Sequence, residues 1–353
     1  MSLKKTINHK TFIIIINLCS LFGEGIWVKH GWELFDYILD AKSASLGNSV
    51  TAYNHKSIQS SISNPYFNSP FNKNISITHQ SRFGGIVNSE LIGLQIKRNK
   101  KIINLNIIYQ GISNIPDTRL MLLDWGLDGK FGTNDLGEGN GIIDEGERLD
   151  NEKIRYFNQH QFGLYSSTQS KIFGISIGTG YKFLSYFFDN HYALGFGLDV
   201  GFFKKINHAA FGLLVKNLPS SGLLWDSGII EGTSPSLSLG LSYTIKNLEK
   251  YSIVIYPMFK VEVSSSSVNL DSHLKYKSYT LDGSFGLELI HKNLSVRFGR
   301  NVLNELTGGV GLMWDNIGVD YAFLNSFQSH SLGNHHLISL NFSTEWILSK
   351  ISK

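Results

Sequence analysis

The sequence predicts an all-β protein: a transmembrane antiparallel β-barrel of about fourteen strands, with an N-terminal plug or hatch segment and an acidic loop insert. The main observation is an alternation of apolar and polar residues, which runs from Tyr156 to Phe342 in short segments such as Leu237–Ile245. Because successive side chains of a strand point to opposite faces, this pattern gives a sheet with one apolar face. No helical segment interrupts the series, so the sheet is expected to close on itself or to pair as a sandwich.

The composition fits a wall that faces lipid on one side and polar surroundings on the other. The 353 residues include 35 glycines, 23 phenylalanines, 15 tyrosines and 6 prolines, and the mean hydropathy is near zero. After the N-terminus no apolar run reaches the ~18 residues of a membrane-spanning helix. A mean hydropathy near zero is also expected for a barrel wall, because the hydropathies of alternating lipid-facing and lumen-facing residues cancel. A soluble sandwich with an aromatic core is the alternative, which the long predicted strands disfavour.

Residues 1–25 are predicted to be an export signal peptide. A basic start is followed by the apolar core Phe12–Phe22 and by small residues for cleavage at Gly23 and Gly25. An anchor or buried helix is the alternative, although this core is too short to span a bilayer. The single cysteine, Cys19, lies within it, so the mature chain can form neither disulfides nor zinc–thiolate sites. An exported, cysteine-free and β-rich chain indicates the Gram-negative outer membrane.

The alternation and the turn residues mark an even number of strands, as in bacterial single-chain barrels. The predicted strands are Ile75–Gln80, Ser89–Arg98, Ile103–Gln110, Arg155–Thr168, Lys171–Phe188, His191–Lys205, His208–Leu218, Pro235–Lys246, Ser252–Ser264, Tyr279–Lys292, Leu294–Asn301, Leu306–Trp314, Ile317–Ser326 and His335–Glu345. Tight connections are predicted at Gln169-Ser170, Asp189-Asn190 and Lys292-Asn293, and long ones at Pro219–Ser234, Ser264–Ser278 and Ser326–Asn334. The barrel is therefore expected over residues 71–345, followed by a C-terminal tail at 346–353.

Residues 26–70 lack the pattern of barrel wall. They contain D-A-K-S-A-S-L-G-N-S-V-T-A-Y, with Leu46 and Gly47, and S-I-S-N-P, with Asn64 and Pro65. In the C-terminal third the segments to compare are Phe285–Leu289, Val296–Gly299, Gly308–Leu312, Val319–Phe323 and Leu332–Leu340. In this order, these segments resemble the PorV/PorQ family of Gram-negative outer-membrane proteins, which share the fourteen-stranded architecture of the FadL long-chain fatty-acid transporters.

The resemblance implies that residues 26–70 fill the lumen as a plug or hatch, and it leaves two functions open. PorV-like members are non-enzymatic components of type IX secretion, which bind the C-terminal signal domains of cargo proteins and shuttle them together with other secretion components. FadL-like members pass long-chain fatty acids or other hydrophobic small molecules across the outer membrane. The Ser-, Asn- and Ala-rich composition suits a buried polar plug, and a mobile periplasmic linker is the alternative.

An acidic insert at residues 123–152 separates the third and fourth predicted strands. Its carboxylates repel one another unless a cation or water screens them. Their spacing resembles calcium-binding loops in two registers, each of which lacks one expected ligand, at Gly126 and at Leu136. The candidate ligands are Asp124, Asp128, Asp135, Glu138, Asn140, Asp144 and Glu147. Oxygen donors of this kind favour Ca²⁺ as the bound ion, and a solvated acidic loop is the alternative.

The sequence gives little support to an enzyme or to a nucleic-acid-binding protein. The 12 histidines are scattered, no His-Glu-x-x-His pair is present, and His335 and His336 are expected on opposite faces of one strand. The net charge of +4 is spread among turns without a basic block. Basic residues near the rim are expected to meet outer-membrane lipid and anionic lipopolysaccharide.

Overall fold

The computed structural model describes residues 32–37, 39–68, 75–98, 101–144, 147–246, 251–265, 272–314, 316–325 and 333–351. The predicted signal peptide, residues 1–25, lies outside the described residues. The strands are β1 Ile75–Arg82, β2 Val87–Arg98, β3 Lys101–Asp117, β4 Arg155–Ile172, β5 Ile175–Phe188, β6 His191–Ile206, β7 Ala209–Lys216, β8 Ser221–Trp225, β9 Ile230–Thr233, β10 Ser236–Tyr243, β11 Ile253–Ser265, β12 Leu274–Tyr276, β13 Tyr279–His291, β14 Leu294–Arg300, β15 Leu306–Met313, β16 Ile317–Asn325 and β17 His335–Phe342.

Fourteen of these strands form a closed antiparallel barrel, as the alternation predicts. Each strand pairs with its neighbours in the wall, and β1 closes the sheet by pairing with both β2 and β17. Strand β6 pairs with β7 from Val200 to Ile206, whereas its earlier part, from Ala193 to Phe196, pairs with β8, which forms a hairpin with β9. The short β12 pairs only with the first residues of β13. A single closed sheet excludes the sandwich alternative.

Several predicted boundaries are wrong. The third predicted strand, Ile103–Gln110, is longer than expected and runs to Asp117 as β3. Pro219–Ser234 is not a long loop but contains the β8–β9 hairpin. Gln169-Ser170 lies within β4, and the tight turn falls at Phe173-Gly174, where both residues have the positive φ of a two-residue hairpin turn. The last strand ends at Phe342 and not at Glu345, because a helix follows it.

The alternation places apolar side chains outside the barrel and polar or small ones inside. In β17, Ile338 and Leu340 are exposed, while Leu337 and Ser339 are buried. In β10, Leu239 points outward with 48% of its surface exposed. Such an apolar exterior is stable in lipid and not in water, and closed sheets of this kind satisfy all their backbone hydrogen bonds within the membrane. The protein is therefore a multi-pass outer-membrane β-barrel.

Residues 32–37 and 39–68, called the plug from here on, lie inside the barrel. They form the short helices α1 Leu34–Tyr37, α2 Ala41–Ser45 and α3 Ser60–Ser63, and a fourth helix, α4 Thr344–Ile351, follows the last strand. Asp40 caps α2, because its Oδ1 accepts the backbone N–H of Ser43 at 2.7 Å. Among the helices of the described residues none has both the length and the apolar character needed to cross a membrane.

Candidate functional site

The first contact between plug and wall rests on glycines. Leu46 is fully buried, and a Cβ added to Gly299 of β14 would lie 2.5 Å from the carbonyl carbon of Leu46. Gly47 adopts φ +61°, and its own Cβ would lie 2.4 Å from the carbonyl oxygen of Arg300. A side chain on either glycine would push the two backbones apart, so this contact requires glycine on both sides.

A second contact is made by Asn64 and Pro65. The Nδ2 of Asn64 donates to the carbonyl oxygens of Thr51, at 3.0 Å, and Phe202, at 3.2 Å. One side chain thus joins two parts of the plug to β6. A Cβ added to Gly178 of β5 would lie 2.2 Å from the carbonyl carbon of Pro65. The structure therefore places the four plug residues chosen from the sequence at two contacts with the wall.

A buried ionic network fixes α2 to the wall. The Oε1 atom of Glu288 in β13 lies 2.9 Å from both Lys42 Nζ in α2 and Arg297 Nε in β14. Tyr53 of the plug donates its hydroxyl to the same carboxylate. Arg297 also lies 2.7 Å from Asp320 in β16. Two cations and two carboxylates compensate one another away from water, which is the condition under which buried charges are tolerated.

Further ion pairs join the plug to the wall and neighbouring strands to one another. Lys216 of β7 donates to Asp36 of α1 at 2.7 Å and so holds the start of the plug. Lys182 of β5 lies 2.8 Å from Asp199 of β6, and its Nζ also donates to Asn217, the residue after β7. These contacts tie neighbouring strands together at the point where β7 gives way to β8.

An apolar patch lines the lumen where the start of the plug meets β2–β6 and β8. Its wall members are Leu91, Ile108, Tyr165, Leu184, Ala193 and Leu223, and its plug members are Trp32, Leu34, Phe35 and Ile62. The rings of Trp32 and Phe35 stack with centroids 5.7 Å apart, and the ring of Phe35 lies 6.4 Å from that of Tyr165. Because apolar burial is not directional, another apolar molecule of similar size can replace these plug side chains.

The described part of the plug packs closely against strands β7, β10 and β11. A cavity of about 10 Å³, enough for about one water molecule, lies between the plug and strands β7, β10 and β11. A larger, open groove of about 570 Å³ is found on the outer face of the wall, lined by Tyr109, His160, Phe162 and Phe187. In this conformation a ligand reaches the apolar patch when plug side chains move away.

Most of the predicted metal ligands of the acidic insert accept hydrogen bonds from backbone amides, whereas Asp135 Oδ1 is buried without a hydrogen-bond partner. The backbone N–H groups of Gly139, Asn140 and Gly141 donate to the carboxylate of Asp124, and those of Gly126 and Asp144 donate to Glu147. The N–H of Asp128 donates to Asp135, and those of Gly132 and Asn134 donate to Glu138. The side-chain amide of Asn140 donates to Asp144. Across the described part of the chain, no group of three or more His, Cys, Asp or Glu side chains is arranged to hold a metal ion. The carboxylates fold the insert into turns, and calcium binding there stays a prediction.

Two features of the chain suggest hydrolase chemistry, but neither has the geometry that a hydrolase site requires. Ser43, His55 and Asp40 lie together in the plug, but Ser43 Oγ and Asp40 Oδ2 approach the same ring nitrogen of His55, at 3.0 and 3.5 Å. A relay needs them on opposite nitrogens. A Gly-x-Ser-x-Gly sequence that the sequence reasoning missed, Gly174–Gly178, begins in a hairpin turn and continues along β5 instead of entering a helix.

The comparisons with known proteins support the fold. No protein-family model matches the sequence, and no curated protein matches it either. The structure is similar to the Pseudomonas putida toluene transporter TodX, with a TM-score of 0.50 at 10% identity, over 86% of this chain and 96% of that chain. A TodX monoaromatic hydrocarbon channel mutant, deltaS2, gives 0.51 at 9% identity, over 88% and 100%. A Pseudomonas aeruginosa FadL homologue gives 0.45 at 10% identity, over 90% and 99%.

The likeness to the two TodX structures supports the class that the strands define, a fourteen-stranded outer-membrane β-barrel. At such low identities this likeness establishes the shared fold and nothing more specific.

The sequence reasoning missed the ionic network and the apolar patch. Glu288, Arg297 and Asp320 each stand at a polar position between apolar neighbours, in L-E-L, V-R-F and V-D-Y. A charge at such a position indicates a lumen-facing side chain, so this signal was present. The pairing of these residues with Lys42 depends on the register of β13, β14 and β16, which the alternation alone does not give.

Proposed function

We propose that this protein is a non-enzymatic outer-membrane barrel that passes hydrophobic small molecules, with the start of the plug as its hatch. The observation that carries this proposal is the apolar patch, in which Trp32, Leu34 and Phe35 occupy space between inward-facing apolar wall residues. An apolar solute that enters from outside gains the same burial as these side chains. The similarity in fold to TodX, a toluene transporter, supports the proposal.

Entry requires α1 to move while the rest of the plug stays in place. The ion pair between Asp36 and Lys216 holds α1, whereas α2 is held by the Lys42–Glu288 pair and by its capping Asp40. We infer that the first plug residues are displaced before the region from α2 onward.

The test is transport of toluene into proteoliposomes that contain the purified barrel. Trp32→Ala removes a large aromatic side chain from the patch, so the flux of toluene should rise several-fold. The matched control is Trp314→Ala. Trp314 directly follows the last residue of β15 and is exposed, so its replacement should leave the flux unchanged. No flux above protein-free vesicles, for the unmodified barrel and for Trp32→Ala alike, would exclude the proposal.

Type IX protein export is the second candidate. It is favoured by the resemblance to PorV/PorQ proteins, and a plug fixed to the wall by an ionic network suits a barrel that binds cargo at its surface without opening. Its partners would be cargo C-terminal signal domains and other secretion components. A pull-down with purified signal domains tests it: specific retention of the barrel supports export, and equal retention by an unrelated domain counts against it.

A further inference from the structure

One end of the barrel carries a ring of exposed basic side chains. Connections of only two residues join β2 to β3, β4 to β5, β6 to β7 and β13 to β14 at this end, whereas the acidic insert lies at the other end. Bacterial outer-membrane barrels have short periplasmic turns and longer extracellular loops, so this end faces the periplasm. The basic ring, as it is called from here on, consists of the exposed residues Arg98, Lys101, Lys171, Lys204, Lys205 and Lys292.

The described residues supply no counter-charge for the basic ring, since its six side chains form no hydrogen bond or ion pair with them. Arg98 and Lys101 stand directly opposite each other in the β2–β3 pairing, where like charges repel. Of the exposed acidic side chains in the described part of the chain, Glu345 in α4 is the one at the periplasmic end. The others, at the extracellular end, are Asp128, Glu152, Asp189 and Asp226. The periplasmic end therefore attracts anions from its surroundings.

The basic ring lies where the lipid-facing side of the wall ends. Arg98 shares the outward face of β2 with Ile96, and Lys204 shares that of β6 with Phe196, since alternate residues of a strand point to the same side. Ile96 and Phe196 are each 50% exposed. Trp314, which is also exposed, follows β15 at the same end of the barrel. An apolar wall that ends in aromatic and basic residues is typical of the level at which lipid headgroups begin.

We propose that the basic ring binds the phosphate groups of anionic phospholipids in the periplasmic leaflet of the outer membrane. Each Lys or Arg near an anionic membrane surface strengthens the attraction about fivefold, and a guanidinium can bind two phosphate oxygens at once. The outward direction of Arg98, Lys101 and Lys204 favours lipid over a soluble acidic protein, because these side chains leave the wall toward the bilayer.

This inference corrects the partner that the sequence suggests for basic residues near the rim. Lipopolysaccharide occupies the leaflet at the extracellular end, so it is out of reach of these six residues. The inference is also independent of the proposed function, since it concerns the outer face of the wall and not the lumen.

The test measures which lipid associates with the full-length barrel in phosphatidylcholine vesicles. Traces of spin-labelled phosphatidylglycerol, which is anionic, or spin-labelled phosphatidylcholine, which has no net charge, are added, and electron paramagnetic resonance gives the fraction that the protein immobilises. Phosphatidylglycerol should be preferred roughly twofold over the whole wall, because only the periplasmic half carries the basic ring. The preference should shrink in about 1 M salt, where charges are screened beyond about 3 Å. The combined variant Arg98→Gln, Lys101→Gln and Lys204→Gln should bring the ratio close to one.

The matched control neutralises three exposed basic residues at the extracellular end, Arg119→Gln, Lys153→Gln and Arg155→Gln, and should keep the preference of the unmodified barrel. Equal association of the two lipids with the unmodified barrel overturns the inference without any variant, and this is also the result expected if the ring binds an acidic protein instead. A preference that both combined variants lose equally, that survives in full in the ring variant, or that high salt leaves unchanged overturns it too.

Discussion

At the scale of single residues, Gly47 shows how one backbone conformation fixes the plug. Its positive φ is unfavourable for residues with a side chain, and its close approach to the Arg300 carbonyl leaves no room for a Cβ. Gly228, in the turn between β8 and β9, has φ +82° but no atom within 4 Å of an added Cβ. Alanine substitutions at these two glycines therefore distinguish the cost of backbone strain alone from the cost of strain together with steric overlap.

Gly47→Ala is expected to destabilise the plugged barrel by more than Gly228→Ala, for which only the backbone strain of roughly 1 kcal/mol applies. The measurement is the thermal unfolding of each purified variant in the same detergent. Equal losses of stability in the two variants would show that Gly47 does not lie against the wall.

His55 gives the plug a dependence on pH. Burial lowers the pKa of His55 below its usual 6.5, and Asp40, at 3.5 Å, opposes this effect. Below pH 6.5 the unfolded chain therefore takes up a proton that the folded chain resists, so stability falls as the pH drops from 6.5 toward the folded-state pKa. Above pH 6.5 both states are neutral at this residue.

His55→Gln should weaken the dependence of stability on pH below 6.5. The difference in Tm between pH 7.5 and pH 5 should then be smaller than in the unmodified barrel. His336→Gln is the matched control, since His336 is exposed on the outer face of β17. An unchanged pH slope in His55→Gln would mean that His55 is not buried in neutral form.

At the scale of elements, alternation predicts strands well where turns are short. Most predicted strands from β4 onward agree with the structure to within a few residues, because inward and outward environments differ along the whole wall. The β8–β9 hairpin was missed because Pro219, Ser220 and Gly222 look like loop residues. Helix α4 was missed because the last predicted strand was extended to Glu345, over the first residues of the helix.

The acidic insert is an element whose carboxylates accept hydrogen bonds from its own backbone amides. If calcium binds, it should exchange with the amide hydrogen bonds of Asp124 and Glu138, with the weak affinity of extracellular modules, roughly 10⁻⁴–10⁻³ M. Millimolar calcium should then slow proteolysis near Gly132 and Gly139, and Asp124→Asn should remove the protection. An identical cleavage pattern with calcium and with chelator would contradict calcium binding.

At the scale of the whole molecule, the exterior and the lumen are specified by different parts of the sequence. The lipid-facing side is specified by the local alternation of apolar and polar residues, and Leu239 points outward as that pattern predicts. The lumen depends on contacts between residues far apart in the chain, such as Lys42 with Glu288 and Asn64 with Phe202. These contacts require the register of the closed barrel, and so the site could be predicted only as a segment and not as a set of pairs.

Leu239→Arg should destabilise the membrane-inserted barrel by about 2–4 kcal/mol if Leu239 lies near the midplane. Leu136→Arg makes the same change in the insert, where Leu136 is exposed away from the wall, and should be nearly neutral. Folding titrations into lipid vesicles measure both. A neutral Leu239→Arg would mean that this face of β10 does not contact lipid.

Hydrogen exchange of the plug with and without toluene tests most directly whether its start acts as a hatch. Displacement of Trp32, Leu34 and Phe35 by the solute should speed exchange over residues 32–37, while residues 41–53, held by the Glu288 network, stay protected. Exchange that is unchanged over residues 32–37 at saturating toluene, or that rises equally over both segments, would contradict the account.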